Sequence, residues 1–106
     1  KIDEGVIYQT AAAPKPEEIM NLLRTAIKGD FLGARTKLDE LLGGGLSGED
    51  LLQQIHRAVF ELDISNKAKV NLIDRIGEID FRLTEGANER LQLEALIAYF
   101  SLSGAK

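Results

Sequence analysis

The sequence predicts an all-α fold, a compact bundle of about five helices with short loops behind an extended N-terminal linker. Three observations carry this. Apolar residues recur at three- and four-residue spacing in successive segments from Ile19 to Leu102. Between those segments stand helix punctuation residues, Gly29-Asp30, Gly43 to Ser47, Ser65, and Gly86 with Asn88. The chain has 106 residues, 44% hydrophobic and 28% charged, which suits a single globular domain and neither a disordered nor a fibrous one.

Residues 1–15 read as an interdomain linker or leader, and 16–106 as the helical domain. Val6 to Thr10 could form a short strand or an extended leader, and Ala13-Pro14-Lys15-Pro16 stops any regular element. Pro16 suits a first helical turn, and Glu17 and Glu18 suit its positive end. Ile19, Leu22, Leu23, Ala26 and Ile27 then repeat at helical spacing. Gly29 supplies a left-handed stop and Asp30 an N-cap, so a second helix follows at once, with Phe31, Ala34, Leu38, Leu41 and Leu42 inward. Gly43-Gly44-Gly45 ends it. Ser47 with Asp50 makes a capping-box variant with Asp in place of Glu, and it opens a third helix whose stripe is Leu51, Leu52, Ile55, Val59 and Leu62. Ser65 caps a fourth helix over about 67–84. Its expected inward side is Val70, Ile73, Ile76 and Leu83, widened by Leu72 and Ile79. Gly86 interrupts, Asn88 caps, and Leu91 to Leu102 form the last helix.

Composition excludes several functions. Seventeen acidic and thirteen basic side chains give a net charge of −4 with both signs dispersed, which argues against nonspecific nucleic-acid binding. The absence of cysteine excludes a disulfide framework, a thiolate metal site and a cysteine nucleophile, and it fits an intracellular, cytoplasmic protein. No apolar run reaches a membrane span, so no membrane partner is expected. The chain begins at Lys1, not Met, and reads as a fragment of a longer protein. No phosphate loop, dinucleotide fingerprint or zinc-protease motif occurs. His56 lies beside the Leu52, Ile55 and Val59 stripe, where a polar anchor at the core edge is favoured over a base or ligand, since no second His or Cys could complete a metal site.

Four features remain. Asp80 lies on the apolar side of the fourth helix, one turn past Ile76 and one short of Leu83; it needs a basic or amide partner, such as Arg90 or a neighbouring subunit's arginine, or else it sits on the surface of a slightly rotated helix. Gly77, mid-helix, hints at a close backbone approach or is simply tolerated. Arg24, Lys28, Arg35 and Lys37 could touch phosphate, but they alternate with Glu17, Asp30, Asp39 and Glu40, as on a solvated mixed-charge face. From Leu91 to Leu102 only Gln92, Glu94 and Ser101 are polar, so the last helix is either central to its own bundle or packed between subunits.

The segments LSGEDLLQQIHRAVFELDIS and AKVNLIDRIGEIDFRLTEGANERLQLEALIA resemble the C-terminal domain of the replication factor C small subunit in its archaeal form. The resemblance runs from about Val6 to Leu102 and is most specific over Ile76 to Leu96. It implies the helical collar that joins clamp-loader subunits, here a homo-oligomer of small subunits together with a large subunit. The family's ATPase domains, with their ATP and magnesium, and its sliding-clamp and primer-template DNA contacts have no counterpart in these residues. No enzyme activity, cofactor or metal is therefore expected of this fragment. The expected intersubunit residues are Ile76, Asp80, Leu83, Glu89, Arg90, Leu93, Ile97 and Phe100, with burial supplying affinity and charges supplying register. On this expectation, Leu93→Asp weakens assembly and leaves a folded, helical monomer. The alternative is a helical module that contacts nucleic acid through its mixed basic face.

Overall fold

Most of the helix ends among the described residues lie where the chain supplies its own caps. The computed structural model describes residues 15–103, and among them are five helices: α1 (Pro16–Ile27), α2 (Phe31–Gly43), α3 (Gly48–Val59), α4 (Asn66–Thr84) and α5 (Glu89–Ser103). The strand or leader expected over Val6 to Thr10, with the linker up to residue 14, lies outside the described residues.

At the start of α1 the Glu18 carboxylate accepts the Lys15 backbone N–H at 3.0 Å. The Asp30 carboxylate accepts from Gly33, and the hydroxyls of Ser47 and Ser65 accept from the N–H groups of Asp50 and Ala68. The Asn88 side chain accepts from Leu91 at 2.8 Å. The stops are as local as the starts. Gly29 has φ +96 and Gly86 φ +97. Around each, two backbone bonds close the helix end: Gly29 to Ala26 and Asp30 to Thr25 in one, Gly86 to Leu83 and Ala87 to Arg82 in the other. This paired pattern needs a left-handed residue, which glycine adopts without steric cost.

Around α5 the other helices form an arc. α2 packs on α1, α1 on α3 and α3 on α4, and every one of them packs on α5. α2 and α4 make no substantial contact with each other, so they are the two outer edges. Leu93, Leu96, Ile97 and Phe100 of α5 are fully enclosed by this arc, which makes α5 the centre of its own bundle. That accounts for the apolar side of α5 that faces the arc, while Leu91 and Leu102 on the same helix are 61% and 78% exposed. The remaining core is Ile19, Leu22, Leu23 and Ala26 from α1, Ala34 and Leu38 from α2, Leu51, Leu52, Ile55 and Val59 from α3, and the α4 stripe.

That α4 stripe differs from expectation. Leu72, Ile76, Ile79 and Leu83 face inward together with Ala68, whereas Ile73 is half-buried and Val70 points out at 67% exposure. Both rows have helical spacing and both are apolar, so periodicity alone could not choose between them. Packing on α3 and α5 selects the row of Ala68, Leu72, Ile76, Ile79 and Leu83.

Candidate intersubunit surface

The expected intersubunit residues separate into three groups. Ile76, Leu83, Leu93, Ile97 and Phe100 are buried within the chain's own core, the last three at 0% exposure, so they touch the neighbouring helices and support the surface from beneath. Glu89 and Arg90 are exposed, yet both are engaged within the chain. Glu89 reaches across to α3, where its carboxylate accepts the Gly48 N–H at 3.1 Å and meets the positive end of that helix. The space is tight, because a Cβ on Gly48 would come within 2.8 Å of the Glu89 side chain. The guanidinium of Arg90 pairs with Asp39 of α2. A second bridge, Arg35 Nε to Glu94 at 2.9 Å, fastens α2 to α5 as well. Arg75 of α4 lies over the Tyr99 ring, 4.4 Å from its centroid. The charges therefore fix the register of α5 inside the bundle.

Asp80 forms the third group. It is on the surface, the second of the two alternatives weighed for it, and Arg90 is paired with Asp39 instead; it borders a shallow groove with Gln53, His56, Ile73 and Gly77. Ile73 also lines an adjoining hollow with Phe60, Lys69, Val70 and Asp74. The two make one continuous seam between α3 and α4. His56 stands edge-on to Phe60, ring centroids 5.4 Å apart, and serves as a wall of this seam. Lys69 Nζ donates to the Phe60 carbonyl at 3.2 Å and covers the open end of α3.

Exposed apolar side chains line and flank the seam among its polar ones. Phe60 and Val70 are 54% and 67% exposed, and Phe81, one turn beyond Gly77, is 64% exposed. Their sequence signal was available: Val70, Ile73, Gly77 and Phe81 follow one another at three- and four-residue spacing, so they share a side of α4. A Cβ on Gly77 would meet nothing within 4 Å, so no close approach among the described residues accounts for a mid-helix glycine.

The basic residues weighed for phosphate contact do not form a single patch. Arg35 is paired with Glu94, and Lys37 lines a groove with Glu18, Asn21 and Glu40. Arg24 and Lys28 are exposed on α1 and the turn after it. No helix among the described residues is long and apolar enough to cross a membrane.

Residues 14–99 match the family described as Replication factor C C-terminal domain. The replication factor C small subunit of Methanocella arvoryzae is 54% identical over 105 residues, 98% of this chain and 33% of the relative. That of Archaeoglobus fulgidus is 49% identical over 106 residues, 99% and 33%. That of Pyrococcus horikoshii is 52% identical over 107 residues, 100% of this chain and 12% of the relative. The chain thus spans a third or less of the length of these relatives.

Proposed function

Because the chain belongs to the replication factor C C-terminal domain family, we propose that it is the collar of a clamp-loader small subunit, the domain that holds the subunits of the loader together. The observation that carries this reading is the exposed apolar surface of Phe60, Val70 and Phe81, with half-buried Ile73, at the α3–α4 seam and beside it. Fully burying one such side chain contributes about 1.5–3 kcal/mol, so covering several accounts for a stable contact between subunits. The partners are other clamp-loader subunits, small and large. ATP, magnesium, the sliding clamp and primer-template DNA are met by other parts of the full-length protein, and this region does no chemistry itself. Its contribution is tethering, which keeps the ATP-driven modules at high effective concentration while they rearrange.

The test is the molar mass of the chain by light scattering on a size-exclusion column, across protein concentration and salt. A mass several times 11.6 kDa that survives dilution is expected. A strict monomer at every concentration refutes a self-sufficient collar.

A further inference from the structure

The two edge helices of the arc are not held alike. α2 buries only Ala34 and Leu38, whereas α4 on the opposite edge buries Ala68, Leu72, Ile76, Ile79 and Leu83. Phe31, Leu41 and Leu42 of α2 reach the core at half burial, and Leu32 is 71% exposed. Local support is weak too. Beyond its Asp30 cap, α2 is the one helix among those described with neither an acidic first turn nor a basic last turn to match its dipole. Gly33 is tied to that cap, because a Cβ there would collide with the Asp30 carboxylate, and a glycine weakens the helix it opens. The Thr36 hydroxyl donates to the Leu32 carbonyl at 3.1 Å, a back-bond that competes with the helix ladder.

What fastens α2 across the bundle is largely charge. Arg35 pairs with Glu94, and one turn along α2 Asp39 pairs with Arg90, so two ion pairs of opposite sense reach α5 side by side. Both pairs stand open to solvent, where dissolved ions screen them. The ends of α2 are glycine turns. Gly29 closes one, and at the other Gly45 alone of the triplet has a positive φ, +101, while a Cβ on Gly43 would meet nothing within 4 Å. That connection is freer than its conformation requires. Just beyond it the chain is anchored again, where Glu89 holds the Gly48 N–H at 3.1 Å.

We infer that α2 is a hinged flap, pivoting on the Gly29 turn and the Gly43–Gly45 connection and latched to α5 by the Arg35–Glu94 and Asp39–Arg90 pairs, which opens as a unit while α1, α3, α4 and α5 stay packed. Opening uncovers the sides of α1 and α5 that Ala34 and Leu38 cover. Ionic strength, acting on the latch, then sets how often the domain shows that apolar surface.

Backbone amide hydrogen exchange, read residue by residue by NMR on the whole chain, tests this. At low salt the protection factors of Ala34 to Leu42 are expected to lie at least about tenfold below those of the α3 and α4 cores, as for a segment that opens short of global unfolding. Raising sodium chloride from about 0.01 M to about 1 M shortens the screening length from about 30 Å to about 3 Å. That change is expected to lower α2 protection about three- to tenfold and to leave the other helices within about twofold. Arg35→Gln combined with Arg90→Gln, at two exposed positions, should reproduce the high-salt behaviour at low salt and abolish the response to salt. Protection of α2 equal to that of α4 overturns the flap. Salt that leaves α2 unmoved, or that loosens every helix alike, overturns the latch, as does a double variant that still responds to salt like the parent.

Discussion

Leu93→Asp distinguishes a core residue from a contact residue, and the structure reverses what the sequence predicts for it. Leu93 is 0% exposed beneath the arc, whereas Leu91, two residues earlier on α5, is 61% exposed. Truncating a buried leucine costs about 2–5 kcal/mol, according to how far the site collapses. An unpartnered carboxylate placed there adds several more, giving a total of at least about 5 kcal/mol. A domain of this size has about 5–15 kcal/mol in all, so Leu93→Asp removes most or all of it at neutral pH. The pH dependence has a definite sign. Burial raises the introduced carboxyl's pKa above its unfolded value, so the folded state binds the extra proton. The penalty is therefore full at neutral pH and shrinks as the solution is acidified. Leu91→Asp, on the surface, stays within about 0.5 kcal/mol of the parent. Urea unfolding followed by far-UV circular dichroism, at neutral and mildly acidic pH, measures both. Equal midpoints for the two variants at neutral pH would refute the placement of α5 at the bundle's centre.

The caps and glycines make sharper local predictions. Asn88→Ala removes the side chain that accepts the Leu91 N–H and should cost about 1 kcal/mol, read as a lower urea midpoint at unchanged slope. Gly77→Ala and Gly86→Ala should move stability in opposite directions. The first gains up to about 1 kcal/mol at an open helical site, and the second loses about 1 kcal/mol or more at φ +97. Matching shifts of the same sign in differential scanning calorimetry would contradict the backbone described at one of the two.

Where the chain's signals are local, the sequence carries the structure. Asp30, Ser47, Ser65 and Asn88 each bond an N–H three residues on, and Gly29 and Gly86 close helices within the same turn, so these ends were legible from neighbours in sequence, whereas α3 stops at Val59, short of the expected stripe residue Leu62. The rotation of α4 was not. Its two apolar rows differ in which one α3 and α5 cover, and that is decided by packing rather than by spacing. The same holds for the charges. Glu89 finds its partner at Gly48, 41 residues away, and Arg90 finds Asp39, 51 residues away. An apolar α5 likewise implied burial without saying by what, since a bundle centre and a subunit interface ask for the same composition. Gly77 was visible as an anomaly from the start, and among the described residues nothing within 4 Å of its Cβ position accounts for it.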